Sequence, residues 1–422
     1  MTESRSEWRV GWSLVLVGML GVSLSSLATY TLGLFMAPLE RDFGWSRAQS
    51  SSALSFVALA AVLLAPVVGA MIDKWGTRRL ALPGVLLVAV SFAAMSLNNG
   101  SIMLWWGLWL WMGLVNLLIK TTIWATAITG MFDKARGMAI AVTLCGTGIS
   151  SSGGPLIARW LIDDYGWRTA FIGMGILWGV VVVPAVFFLF FDVRARERRK
   201  QHSAAVAAPA RMALPGLSVR EALRSKSFLS ILGCTFLINT VVTALVVHLV
   251  PILVSKGLTR VDAALALGIF GFAAAVGKLG SGWLLDRVHG RVLGMVILAI
   301  PAVPCLILSG VPLTLPLAFV VVALIGLGSG GELQTLTYLS TRYVGLRNFG
   351  KLYGIFGSLV GICLGVGPLC AGLIYDSVGN YQPLLYAVIP ISLLCSLLMS
   401  TLGAYPVFEK PRTDTTKDVA EA

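Results

Sequence analysis

Four side chains able to carry a charge or a proton fall deep inside long apolar runs: Lys120, His248, Lys278 and Glu332. An amine or a carboxyl at the centre of a membrane helix costs about 2.5 to 3.5 kcal/mol on insertion scales. The two lysines and the acid together are therefore a burden of order 8 to 10 kcal/mol, comparable with a whole domain's stability, and are expected to have a job. Counting to the nearest loop charge at about 1.5 Å per residue puts all four roughly 12 to 20 Å into a ~30 Å hydrocarbon core. With His248 neutral this midplane band is net positive, which suits a singly charged anion, most simply a carboxylate. Lys278 and Lys120 are the candidate substrate contacts. Asn116, four residues before Lys120 and so on the same helical face, is a second contact, and Tyr30 in the first run is a further one. Glu332 and His248 are the candidates for carrying a coupled proton. The plain structural alternatives are helix-to-helix ion pairs for the lysines and Glu332, and a packing or outer-gate role for His248. No Ser/His/Asp set, paired carboxylates or metal-type His cluster accompanies them, so neither an enzyme nor a metal or other cofactor is expected.

These residues need elements that cross a bilayer. Of 422 residues, 57% are hydrophobic and 12% charged, with a mean hydropathy of +0.86, whereas an average soluble domain has about 25% charged. Twelve apolar runs lie near 12–38, 48–72, 80–98, 102–131, 137–161, 169–191, 228–254, 263–285, 292–310, 313–341, 352–375 and 383–405. Each is near the ~20 residues a membrane helix needs. The first is too long for a signal peptide's apolar region and reads as a retained helix. The net charge of +13 sits in short clusters between the runs, which argues for orientation and against a nucleic-acid partner. With the N-terminus inside, twenty-four Lys and Arg collect on one side and six on the other, Lys120 and Lys278 completing the 32. Both termini are thus expected in the cytoplasm. Six cysteines lie in apolar runs without a C-x-x-C spacing and read as helix-packing residues, not as a disulfide or zinc framework. Trp105, Trp106 and Trp109 read as an interface belt. The long connection opening with the basic run Arg194 to Lys200 divides the chain into a six-helix bundle (1–191), a central loop (192–227), a second bundle (228–405) and a tail (406–422). The fold class is all-α, twelve transmembrane helices in two bundles.

A Gly-x-x-x-Asp pattern recurs where spans two, eight and eleven end: Gly69 to Asp73 then Gly76, Gly282 to Asp286 then Gly290, and Gly372 to Asp376 then Gly379. Span five carries the weaker echo Asp164 then Gly166. On the assigned topology successive three-helix units point in opposite directions, as in inverted-repeat transporters. Gly69-Ala-Met-Ile-Asp73-Lys74-Trp-Gly76-Thr-Arg78-Arg79 resembles the loop signature of the major facilitator superfamily. The second copy has one inserted residue, reading Asp286-Arg287-Val-His-Gly290-Arg291. The resemblance implies a gating role for Asp73, Arg78, Asp286 and Arg287. Phe132-Asp-Lys134-Ala-Arg136-Gly-Met-Ala139, followed by Gly146, is similar to the signature before span five in monocarboxylate transporters. The stretch Glu7-Trp8-Arg-Val-Gly11-Trp12 lacks the animal signature before span one, so the resemblance is to the bacterial branch with lactate-type and oxalate/formate-type carriers. Gly331-Glu332, Tyr338 to Tyr343, Gly367-Pro368 and Tyr375-Asp376 look like the same branch. In that family the corresponding place in span eight is usually a cation that grips the substrate carboxylate, and here it is Lys278; the acidic partner of animal members falls on Ala274.

The expectation is a carrier in the bacterial inner membrane that moves a small organic monocarboxylate with a proton, by rocking two bundles about a central cavity. Its partners are the organic anion, the proton and the lipid bilayer, and a monomer suffices. The rivals are a carboxylate exchanger of the oxalate/formate type, an efflux carrier for other small molecules, and, since fold does not fix function, a non-transporting sensor.

Overall fold

The computed structural model describes residues 2–132, 135–190, 216–285, 287–345 and 349–406. Asp286, the central loop up to residue 215 and the tail from residue 407 lie outside the described residues, as do the side chains of Asp73 and Arg136. Apart from one isolated bridge between Gly216 and Gly345, all regular structure among the described residues is helical.

Span one is Thr2–Phe43, span two Arg47–Ser51 with Ala53–Trp75, span three Thr77–Ala94. Span four comes in two pieces, Ile102–Asn116 and Thr121–Met131; span five begins as Arg136–Leu144 and continues into Gly146–Leu189, which also contains span six. Spans seven and eight are Lys226–Ser255 and Arg260–Leu285, and span nine is Gly290–Ala299 with Ala302–Gly310. Spans ten, eleven and twelve are Leu315–Val344, Phe349–Val378 and Gln382–Ser400. Eleven stretches are long and apolar enough to cross, but one of them, Met138–Leu189, has 52 residues, about 78 Å if straight. Gly166, at φ 82 and ψ 162, turns the chain within it, so it crosses twice and twelve crossings result. Gly76 and Gly379, at the ends of spans two and eleven, have φ of 83 and 77, a left-handed conformation for which glycine alone has no Cβ penalty. Three of the four repeat copies thus end alike. In the remaining copy the inserted residue shifts the turn, and His289 caps span nine by accepting from the Arg291 N–H.

The first six spans pack chiefly on one another and so do the last six. Within the second bundle, spans eight and ten make the most extensive contact. A Cβ on Gly277 would overlap the Leu327 carbonyl, and one on Gly330 the Ala274 carbonyl; small residues let the two backbones touch where lipid offers no hydrophobic drive for association. The bundles meet where span two packs on span eleven and span five on span eight.

Four clasps repeat this symmetry at the helix ends. On the side carrying the N-terminus, hereafter the basic side, Arg78 donates to the Phe187 carbonyl at 2.9 Å and Arg291 to the Leu402 carbonyl at 2.8 Å. On the far side Arg168 donates to the Asn98 carbonyl at 3.3 Å and Gln382 to the Ser309 carbonyl at 2.9 Å. Each ties span three to six or nine to twelve by filling a carbonyl that the helix end leaves open. Arg291, not Arg287, is therefore the counterpart of Arg78. Arg287 folds back on its own helix, donating to the Trp283 carbonyl at 3.1 Å with its guanidinium 4.0 Å from the Trp283 ring.

The tryptophans of span four depart from the belt expected of them. Trp105 and Trp109 are buried, because spans one, three, four and six close around an aromatic cluster in which Phe35 stacks on Phe171 at 3.9 Å and Trp105 meets Phe171 edge-on. Trp106 is half-buried and donates to the Ser52 hydroxyl at 2.8 Å.

Candidate functional site

A polar belt crosses four helices at mid-membrane. Lys278 on span eight reaches across the bundle boundary and donates to the Thr147 hydroxyl of span five at 2.9 Å. One turn on, Ser150 shares a 2.7 Å hydrogen bond with Ser26 of span one. The neighbouring Ser25 carbonyl accepts from the Asn116 amide of span four at 3.0 Å, and Lys120 follows at the point where span four breaks. Neither ammonium has a carboxylate within 4.0 Å among the described residues. Among the described residues Lys278 holds only a neutral hydroxyl, and no hydrogen bond or ion pair joins Lys120 to another described residue. Both lysines are partly accessible.

The break at Lys120 is held by contacts visible in the fold. Leu117–Ile119 tighten into a 3-10 turn, and Lys120 is extended at φ −59 and ψ 157. The Trp124 indole donates to the Ile119 carbonyl at 2.8 Å, filling the acceptor that the interrupted helix would otherwise leave empty in the membrane. Trp124 is itself fixed against span one, where a side chain on Gly21 would overlap its ring. The second piece of span four, Thr121–Met131, therefore starts immediately after Lys120. A helix N-terminus and a cation together favour an anion there.

Glu332 is not on this belt. It is 4% exposed, its Oε2 is buried without a hydrogen-bond partner, and no basic nitrogen lies within 4.0 Å among the described residues. Its electrostatic neighbours are the thiols of Cys363 and Cys395 on spans eleven and twelve. Lys278 and Glu332 thus sit on opposite flanks of the packed pair of spans eight and ten, one facing span five and the other the interior of the second bundle.

His248 is elsewhere again. It is fully buried near the far end of span seven, with Nδ1 2.8 Å from the Tyr381 hydroxyl and Nε2 3.0 Å from the Pro368 carbonyl. It belongs to a seal between the bundles on the far side. The backbone N–H groups of Arg47 and Ala48 donate to the two oxygens of Asp376 at 3.0 and 2.9 Å, so the repeat aspartate of span eleven caps the start of span two. Arg47 also donates to the Tyr381 hydroxyl at 2.7 Å, lies 3.6 Å from the Tyr375 ring and is 3.6 Å from Glu40. Below this, Ser51 donates to the Pro368 carbonyl at 3.0 Å and Ser55 to the Gly365 carbonyl at 2.8 Å. Toward the basic side, Leu59, Leu63 and Val67 of span two are exposed, and among the described residues no hydrogen bond joins the bundles beyond Lys278. Tyr30 marks the boundary: its ring is 5.8 Å from Phe270 of span eight, two turns above Lys278.

Sequence reasoning placed Lys278, Lys120 and Asn116 together and missed Thr147, Ser150 and Ser26, whose hydroxyls look like ordinary helix-packing residues in a run. It also missed Arg47, Tyr381 and the capping role of Asp376, although the repeated Gly-x-x-x-Asp pattern was a usable signal for the last. Among the described residues no group of three His, Cys, Asp or Glu side chains could hold a metal ion.

The profile of the Major Facilitator Superfamily matches residues 18–362. Among curated proteins, Monocarboxylate transporter 11 of Mus musculus is 26% identical over 88% of this chain and 83% of its own length. The 4-hydroxybenzoate transporter PcaK of Pseudomonas putida is 25% identical over 68% of each chain, and the Gallate transporter of Pseudomonas putida 23% identical over 84% of this chain and 86% of its own. Among solved structures, a D-xylose-proton symporter superposes with a TM-score of 0.73 at 12% identity, covering 93% of this chain and 98% of that one. A bacterial homologue of the human lysosomal transporter Spinster, solved inward-facing and unoccupied, gives 0.64 at 16% identity, covering 93% and 95%.

Proposed function

This chain belongs to the Major Facilitator Superfamily and is a membrane transporter, not an enzyme; on that premise we propose that it carries a small organic monocarboxylate across the bacterial inner membrane together with a proton. The observation that carries the reading is the pair of mid-membrane lysines without an acidic partner among the described residues. A cation in the membrane interior is costly unless it meets a counter-ion, and here the counter-ion is the substrate carboxylate. Lys278 grips it from span eight, while Lys120 and the N–H end of the second piece of span four stabilise the same negative charge from the first bundle. Because the two lysines belong to different bundles, one bound anion bridges both and rewards their approach. That is how a small ligand drives alternating access. The names of the relatives, a monocarboxylate transporter and two carriers of aromatic acids, favour the same substrate class.

Glu332 supplies the second titratable group of the cycle. Its Oε2 has no hydrogen-bond partner among the described residues, so a proton on that oxygen displaces no bond there. The bundles are residues 1–191 and 228–405, rocking about the interfaces of spans two with eleven and five with eight, with both termini in the cytoplasm. In the described conformation the far side is shut by Arg47, Asp376 and Tyr381, and the clasps at Arg78 and Arg291 keep each bundle rigid as it moves.

The test is uptake into vesicles of reconstituted protein from a panel of labelled acids that includes lactate, pyruvate, oxalate, 4-hydroxybenzoate and gallate. An acid-outside gradient with no internal anion is expected to drive accumulation of one monocarboxylate. Uptake that requires a trapped internal anion replaces the symporter with an exchanger, and no uptake of any acid removes the carboxylate reading.

A further inference from the structure

We propose that His248 is the site where the transported proton enters from the far side, and that its protonation unlatches the seal between spans two and eleven. The inference rests on the proton-coupled reading above and adds to it a port and a gate.

The hydrogen-bond pattern allows only one neutral form of the ring. The Pro368 carbonyl 3.0 Å from Nε2 can only accept, so Nε2 carries the hydrogen. Nδ1 is then a lone pair, and the Tyr381 hydroxyl 2.8 Å away must donate to it. The oxygen of that hydroxyl accepts in turn from Arg47 Nη1 at 2.7 Å. A directed chain thus runs from Arg47 on span two, through Tyr381 at the start of span twelve, to His248 on span seven and Pro368 on span eleven. It joins the first bundle to the second, and the ring inside it is fully buried.

A proton added at the Nδ1 lone pair reverses one link. Nδ1 becomes a donor facing Tyr381, whose hydroxyl hydrogen must turn away from the ring. The imidazolium then stands one phenol oxygen away from the Arg47 guanidinium, and the two cations repel. Every charged or titratable group facing the ring bears on this balance: Glu40 from span one, Arg47 from span two, Tyr375 and Asp376 from span eleven, and Tyr381. Span seven itself adds none. Asp376 has both oxygens engaged by the N–H groups of Arg47 and Ala48, and Glu40 lies 3.6 Å from Arg47 Nε. These two carboxylates offset positive charge here, so the proton acts by reversing the hydrogen-bond chain at Tyr381. The relief is for Arg47 to leave, and with it the end of span two that Asp376 caps.

The experiment measures the distance between spin labels at Tyr165→Cys and Ser377→Cys, exposed far-side positions in the two bundles. The exposed native thiol Cys370 is replaced by Ser, the protein is reconstituted in liposomes, and no organic acid is present. A longer distance population is expected at pH 5.5 than at pH 7.5. His248→Gln keeps a neutral donor for Pro368 and gains no charge, so it is expected to hold the short distance at both pH values; His248→Asn, which keeps the acceptor toward Tyr381, replaces it if the Gln variant does not reach the membrane. Tyr381→Phe breaks the chain and is expected to show the long population already at pH 7.5. Identical wild-type distances at the two pH values, or a neutral variant that lengthens as the wild type does, overturn the proposal. A seal that responds to pH in a protein that moves no acid keeps the latch and removes the carboxylate reading. Acid uptake with an unresponsive seal does the reverse.

Discussion

Replacing Lys278 by Met separates a substrate ligand from a structural ion, because the two roles predict opposite changes in stability. In the structure its ammonium makes one hydrogen bond, to Thr147 at 2.9 Å, and has no acidic partner within 4.0 Å among the described residues. Losing that bond, made by a charged donor, costs about 1.5 to 3 kcal/mol, while removing a lysine from the membrane interior recovers about 2.5 to 3.5 kcal/mol of insertion cost. Met is unbranched and of similar length, so no cavity follows. The variant is therefore expected to melt at the wild-type temperature or above it. For the substrate, a hydrogen bond to a charged group is worth about 1.5 to 3 kcal/mol, so the dissociation constant of the transported acid is expected to rise about 10- to 150-fold. Equilibrium binding of the labelled acid and thermal unfolding, both on detergent-purified protein, make the comparison, and Lys278→Arg is expected to recover part of the affinity because the charge is kept while the donor geometry changes. Unchanged affinity refutes the substrate role. A fall in melting temperature together with lost binding refutes the argument in another way, since it means that Lys278 holds the bundles together and does not wait for an anion.

Lys120→Met is expected to weaken binding of the same acid by about 10-fold or more, with the melting temperature unchanged; full affinity assigns the anion to Lys278 alone. Glu332→Gln is expected to retain exchange of labelled for unlabelled acid but to lose accumulation driven by an acid-outside gradient, and a variant that still accumulates moves the proton to another group. Gly330→Val puts side-chain atoms into the Ala274 carbonyl and is expected to destabilise the protein by about 1 to 3 kcal/mol in thermal unfolding, whereas a neutral effect means that spans eight and ten can part.

The twelve crossings, the repeat and the presence of unusual charges were legible because each depends on local features. Run length sets whether a helix reaches across the bilayer, and loop charge sets which side it faces. Gly76, Gly166 and Gly379 end their helices at positive φ for a reason contained in the residue itself. The face of the helix was less accessible. Lys278 and Glu332 both lie within long apolar helices, but the glycine seam between spans eight and ten turns one toward span five and the other toward Cys395. Nothing within either run predicts that, because it depends on which neighbour each helix packs against. The break in span four carries no Pro or Gly between Asn116 and Thr121; it is stabilised by Trp124 and by the shape of span one, and so arises only after packing. The far-side cluster is the extreme case, assembling Glu40, Arg47, His248, Pro368, Asp376 and Tyr381 from five helices. The sequence alone determined that there would be twelve helices with cations inside them, since hydropathy and charge act residue by residue. Only the tertiary structure decided which of those charges face one another, since the orientation of a buried side chain is settled by the close packing of helices distant in the chain.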